Sequence, residues 1–244
     1  MSQRLEPLPS MVYPGRLIVI GRDRSGERVV VIYAVTGRSA SSQARELIRQ
    51  GNAVWTRPTD PEVLAKGNPD LLVYPALIFG RGIAVSNGKQ TADVALEGAA
   101  SAAAALEAGL RTWSFEPDAP IFTPRISGCV LPGAAAALNI IRRGPDGTAE
   151  RQFTEFIPAL GEGRMILTYT GENVNPLPSF RGEPLSVELS EPTARGMALA
   201  VDEALGPKSC GPDFRVAVAC VFARTGDLSG LDLAIINHHE RTTS

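Results

Sequence analysis

Apolar runs bounded by turn residues recur along most of the chain, and their spacing predicts paired strands. Arg16 to Gly21 carries Leu17, Ile18, Val19 and Ile20 and reads as a short buried strand. Asp23-Arg24-Ser25-Gly26 supplies turn chemistry, and Val29 to Val35 is a second β-branched run. Two such runs about a short glycine-containing turn predict a hairpin. Leu71 to Phe79 and Ile83 to Val85 repeat the pattern about Gly80-Arg81-Gly82, and Ser86-Asn87-Gly88 follows as a tight turn. From Asp93 the periodicity changes and predicts a helix to about Arg111, capped by the side-chain oxygen of Thr91 or Asp93. This helix is mostly alanine and leucine, and one apolar nearly all round is expected between layers.

Ala134 to Arg142 and Gln152 to Ile157 flank Gly144-Pro145-Asp146-Gly147, a strong hairpin signal. Met165 to Thr170 is a further strand, and Asn175-Pro176-Leu177-Pro178 begins a proline-rich excursion reaching about Pro192. Thr193 to Leu205 is amphipathic and helical, and Arg215 to Ala223 and Leu231 to Ile236 are the last strands. Gln43 to Pro58 is ambiguous: Ala44 to Gln50 looks helical by propensity, Ala53 to Thr56 extended. Runs of hairpins with segregated helices predict an α+β fold rather than a doubly wound parallel sheet. The length allows one large domain or two small ones. Nothing between Tyr13 and Ile236 resembles a flexible linker, so one domain over 1–244 is preferred.

Composition narrows the partners. The net charge of −2 does not favour a nucleic-acid-coating protein, so a phosphate site requires cations concentrated locally. Those cations are mostly arginines, since lysine occurs only at 66, 89 and 208; genomic base composition is the simpler account of that bias. The stretch from Met1 to Pro14 shows no signal peptide, and Ala95 to Leu110 is too short and too interrupted to span a bilayer. Cys129, Cys210 and Cys220 are an odd set without CxxC spacing, which argues against a disulfide framework or a zinc site. The cytoplasm is the expected compartment.

Individual motifs are weak. Gly37-Arg38-Ser39-Ala40-Ser41-Ser42 follows an apolar strand, and Arg38 offers a planar fork matched to phosphate or carboxylate. Taken alone it reads first as a solvated strand-end loop. Thr123-Pro124-Arg125 is similar. Ser86-Asn87-Gly88 is a hairpin turn whose side-chain amide also suits a carbonyl. Tyr74, in an apolar strand, reads first as a core tyrosine. The chain lacks a GxSxG elbow, a Walker loop, an HExxH helix and a deaminase zinc signature. Its two histidines, His238 and His239, are adjacent in a polar tail, which argues against a conventional Ser/His/Asp or Cys/His triad and leaves proton transfer to tyrosine, carboxylates, water or substrate groups.

Taken in order, several segments resemble the archaeal-type IMP cyclohydrolase family. They are Tyr13-Pro14-Gly15-Arg16 with Ile20-Gly21-Arg22, Gly37-Arg38-Ser39, Asn68-Pro69 leading to Tyr74, Val85-Ser86-Asn87-Gly88, Thr123-Pro124-Arg125-Ile126 and Leu167-Thr168-Tyr169-Thr170. The resemblance implies an αββα sandwich similar to that of N-terminal nucleophile hydrolases, without autoprocessing. It implies dehydrative closure of 5-formamidoimidazole-4-carboxamide ribonucleotide to IMP, with a purine nucleotide as partner and neither metal nor organic cofactor.

By the same resemblance Arg38 and Ser39 contact the phosphate or the base edge, and Tyr74 moves protons near the formyl oxygen. Asn87 and Gly88 orient the carboxamide or formyl group, while Thr123 and Arg125 complete the anionic cradle; Arg38, Tyr74 and Asn87 form the implied catalytic set. The stretch from Asn173 to Pro192 looks longer than in compact members and is placed at the pocket rim or an oligomer contact; homo-oligomerisation stays open. Two other readings stand beside this one: the same fold acting on another amide by cyclisation or hydrolysis, and a purine-nucleotide-binding protein without turnover.

Overall fold

The structure is a computed structural model that describes residues 5–66, 68–207 and 211–242. The first hairpin joins β1 (Arg16–Arg22) to β2 (Arg28–Thr36). Its turn is closed by the Asp23 carboxylate, which accepts from Ser25 Oγ at 2.7 Å and from the Arg28 amide at 3.1 Å. After the short α1 (Ala40–Gln43) come β3 (Arg45–Gln50) and β4 (Ala53–Pro58). Two helical turns, α2 (Pro61–Ala65) and α3 (Pro69–Leu72), lead to β5 (Pro75–Phe79) and β6 (Ile83–Ser86).

Helix α4 (Ala102–Leu110) separates these from β7 (Arg125–Val130), β8 (Ala136–Arg143) and β9 (Ala149–Phe156). There follow β10 (Glu162–Leu167), β11 (Leu185–Glu188), α5 (Ala194–Ala204), β12 (Arg215–Arg224), β13 (Asp232–Asn237) and α6 (His238–Thr242).

The strands form two antiparallel sheets. One has six strands in the order β11-β10-β1-β2-β12-β13, and the other runs β3 to β9 in chain order. β2 is central in the first, which explains its unbroken apolar run: Val29 to Val35 are all buried, as expected of a strand covered on both faces. One face meets the second sheet and the other meets α5, which lies on β2, β12 and β13.

The second sheet sorts its residues by the two-residue period of a strand. Ile126 and Val130 of β7, with Ala136, Leu138 and Ile140 of β8, face the core between the sheets. Cys129, Ala137 and Ile141 face outward onto Ala102, Ala105, Leu106 and Leu110 of α4. Gly128 lets the sheets approach, because a Cβ there would come within 2.8 Å of Ile20 Cδ1. The resulting order is helix, sheet, sheet, helix.

Several elements differ from their sequence expectation. α4 begins at Ala102, capped by Ser101 Oγ accepting from the Ala104 amide at 3.2 Å. Thr91 and Asp93 are otherwise engaged: the Thr91 hydroxyl donates to the Gly88 carbonyl and the Asp93 carboxylate accepts from the Trp113 indole. The helix covers one sheet with one face and leaves Glu107 and Ala108 exposed, so it is not enclosed between layers. Of the stretch Ala44 to Gln50, Ala44 closes α1 and Arg45–Gln50 is the edge strand β3, where pairing with β4 overrides helix propensity. Leu71 and Leu72 belong to α3, capped by Asn68, and the strand starts at Pro75.

The proline-rich excursion contains β11 and folds back along the chain end of β10, with Thr170 N–H donating to Pro178 O and Phe180 N–H to Thr168 O. α5 is the expected amphipathic helix, capped by Thr193. His238 and His239 are folded into α6 rather than lying in a loose tail. Cys129 and Cys220 are free, buried thiols, while Lys208 and Cys210 lie outside the described residues. No helix among the described residues is long and apolar enough to cross a membrane.

Candidate active site

Antiparallel pairing brings one set of strand ends to a single edge of the sandwich. There the start of β1, the exit of β2, the start of β7 and the exit of β10 surround a cavity of about 280 Å³. Its deep wall is charged. Arg16 opens β1 in the same phase as the inward-facing Ile18 and Ile20, so the strand period carries its side chain into the layer between the sheets. Arg16 Nη2 donates to Glu116 Oε1 at 2.7 Å, with side-chain exposures of only 11% and 3%. Arg125 Nη1 lies 3.9 Å from the same oxygen.

Burial raises the Glu116 carboxyl above the ordinary carboxylate value; Arg16 and Arg125 oppose the shift without cancelling it, and Asp118 adds to it. Arg16 Nε is buried without a hydrogen-bond partner. The geometry is that of a buried acid with a neighbouring cation holding donor capacity in reserve.

The adjoining wall is aromatic and hydroxylic. Tyr169 OH and Thr123 Oγ1 are 2.7 Å apart, and the Asp118 carboxylate accepts from the Thr123 amide. Burial pushes the Tyr169 phenol up to about 12, against the pull of Arg16 and the Thr123 hydrogen bond. Tyr13 stacks on Tyr169 at 5.7 Å.

The opposite rim is the turn after β2. Ser39 caps α1 in a reciprocal box with Ser42, and Ser39, Ser41 and Ser42 all line the cavity. Arg38 Nη1 donates to Asn173 Oδ1 at 3.3 Å and to Val174 O at 3.2 Å. The excursion thus forms part of the rim.

The residues singled out from sequence divide into two groups. Arg38, Ser39 and Thr123 line the cavity. Asn87, Gly88, Arg125 and Tyr74 stand behind it. Asn87 is fully buried: Nδ2 donates to Pro124 O at 2.9 Å, and Oδ1 accepts from the Ile126 amide at 2.8 Å and from Gln90 at 3.0 Å. It latches β7 in place. Gly88 makes room, since a Cβ there would approach Arg125 Nη1 to 2.5 Å.

Arg125 is held by Gln90 Oε1 and Ser114 O and covers the Trp113 ring, beside Glu116 rather than on the cavity lining. Tyr74 OH meets Tyr33 OH at 2.6 Å inside the core, and Tyr74 is fully buried. The sequence assigns no role to Arg16, Glu116, Asp118 or Tyr169, although Arg16 and Tyr169 lie in segments that carry the family resemblance. The available signal for Arg16 was a charge heading an apolar strand; Glu116 sits alone in a loop and had none.

The family model described as IMP cyclohydrolase-like protein matches residues 13–208. That span contains every cavity residue named above. No curated protein matches the chain.

Proposed function

We propose that this chain, which belongs to the IMP cyclohydrolase-like family, is an enzyme that closes the purine ring by dehydration. Its substrate in this reading is 5-formamidoimidazole-4-carboxamide ribonucleotide and its product IMP. The observation that carries the reading is one cavity with a serine–arginine rim at one side and the buried Arg16–Glu116 pair at the other.

The rim suits the 5′-phosphate, because Arg38 and three hydroxyls offer donors to its oxygens. The buried pair suits the chemistry. The carboxamide nitrogen attacks the formyl carbon, a C–N bond forms, and the former carbonyl electrons move to oxygen. Arg16 faces that developing oxyanion, and Glu116 takes the proton released by nitrogen. The oxygen is protonated to a hydroxyl, and loss of that hydroxyl with one N–H proton releases water. Nucleophile and electrophile share one ring, so the substrate supplies most of the proximity. None of these steps requires a metal or an organic cofactor.

The helix–sheet–sheet–helix order supports the expected likeness to N-terminal nucleophile hydrolases, here without autoprocessing. The core shared by both sheets supports one domain over 1–244. A phosphorylated substrate suits a cytoplasmic enzyme.

The test is to supply the formamido ribonucleotide and follow IMP. No acceleration over the uncatalysed closure, in folded protein that binds IMP tightly, would leave a binding protein without turnover. Arg38→Ala is expected to weaken ribonucleotide binding about 10- to 100-fold, the loss of one or two charge-assisted hydrogen bonds. Binding of the dephosphorylated nucleoside should be unchanged; equal losses for both would remove Arg38 from the phosphate.

Tyr74→Phe tests the core reading of that residue. It leaves the Tyr33 hydroxyl without its partner, so we expect stability to fall by about 1–3 kcal/mol in urea melts. Turnover should stay within about threefold of wild type. A hundredfold loss of turnover would instead place Tyr74 in the proton path.

A further inference from the structure

The cavity holds a carboxylate for which the ring closure has no use. Asp118 lies in the same loop as Glu116, two residues further on, and both line the cavity. Glu116 is buried and spent on Arg16, whereas Asp118 is half-buried and forms no ion pair among the described residues. The orientation of Asp118 is fixed twice over. Its carboxylate accepts from the Thr123 amide at 2.7 Å through Oδ1 and from the Thr123 hydroxyl through Oδ2. Its carbonyl accepts from the Ile121 and Phe122 amides at 3.0 and 3.2 Å, which closes the loop. Each carboxylate oxygen has about two acceptor positions, so one on each stays open.

Those open acceptors select what lies against them. Like charge keeps a phosphate away from Asp118, and the Arg38–serine rim offers that group its donors. The carboxamide and formyl groups go to Arg16 and Glu116. A ribonucleotide then has two donors left, the 2′- and 3′-hydroxyls, on the sugar that joins phosphate to base. They sit side by side, and a carboxylate is the group that takes a ribose hydroxyl in dinucleotide-binding folds as well. Thr123 is not free for this task, because its hydroxyl donates to Asp118 and its oxygen meets Tyr169 OH at 2.7 Å. We infer that Asp118 reads the ribose diol and makes the cavity selective for ribonucleotides over their 2′-deoxy counterparts, with Thr123 as its positioning residue. The inference rests on the nucleotide reading of this cavity and not on turnover.

The experiment is titration calorimetry of the whole chain with IMP and with 2′-deoxy-IMP. Unsubstituted protein should bind IMP at least about tenfold more tightly, because the analogue leaves an oriented acceptor unpaired. Asp118→Asn keeps the shape and an acceptor for the Thr123 amide, and should cut the preference for IMP to under about threefold. If that variant fails to fold, ¹³C NMR of unsubstituted protein decides: the Asp118 carboxylate signal should move further with IMP than with 2′-deoxy-IMP. Equal affinities in unsubstituted protein, a preference that Asp118→Asn leaves intact, or equal movement of the signal each overturns the assignment. A loss of affinity shared equally by both nucleotides is the mark of a merely structural Asp118. A preference for IMP that Asp118→Asn abolishes, in protein that makes no IMP from the formamido ribonucleotide, would uphold the assignment and remove ring closure. Failure of folded protein to bind either nucleotide would remove both.

Discussion

Glu116→Gln is expected to lower kcat for ring closure by about 10²- to 10⁴-fold, the range typical of a lost general acid–base group. Glutamine keeps the shape and one acceptor for Arg16, so the fold and the phosphate rim should be retained, with KM within about threefold of wild type. Steady-state kinetics with IMP formation as readout checks this. A kcat loss under about fivefold would move the proton transfer to another group.

The pH profile gives the same residue a second test. Glu116 acts as a base when ionised, and burial raises its pKa above the ordinary carboxylate value. Activity should therefore fall on the acid side at a higher pH than an exposed glutamate would give. In Glu116→Gln that acid limb should vanish along with most of the rate. A limb that survives in the variant belongs to a different group or to the substrate.

Elements were legible where local pattern and tertiary role agree. Val29 to Val35 reads as a strand because a run buried on both faces needs apolar residues at every position. α5 reads as a helix because only one of its faces is covered. Where the two disagree, long-range contacts decide: Arg45 to Gln50 forms β3 because β4 lies beside it, and Thr91 and Asp93 are bonded elsewhere and do not cap α4.

The site was legible at its rim and not at its floor. Arg38 and Ser39 occupy a strand-exit turn whose chemistry is local. Glu116 acquires its meaning from Arg16, a hundred residues earlier in the chain, and from burial that no nearby residue announces. Asn87 and Arg125 stand out in the sequence, yet the Asn87 amide and the Arg125 Nε and Nη1 hold β7 and its neighbours. Residues that brace a site and residues that line it carry the same sequence signal, and only their remaining hydrogen-bond capacity separates them.

Arg16→Met removes one partner of the buried pair and should lower folding stability by about 3–5 kcal/mol near neutral pH, because Glu116 then keeps only Arg125 at 3.9 Å. The sign of the pH dependence follows from linkage. A folded-state pKa above the unfolded one means that the native state binds more protons between the two values. Stability from this group is therefore greatest below the unfolded pKa, falls as pH rises through the folded pKa, and then levels off.

Without Arg16 the folded value moves further up, and that loss extends to higher pH. The deficit of the variant should be smallest near about pH 5 and largest near about pH 8, read from urea unfolding at both. Adding Glu116→Gln should recover most of the neutral-pH deficit, since an uncharged pair no longer leaves a lone carboxylate in the core. Turnover should remain low in the double variant. A deficit that does not change with pH, or that the second substitution fails to relieve, would mean that Arg16 stabilises by packing, and the charged floor of the cavity would lose its support.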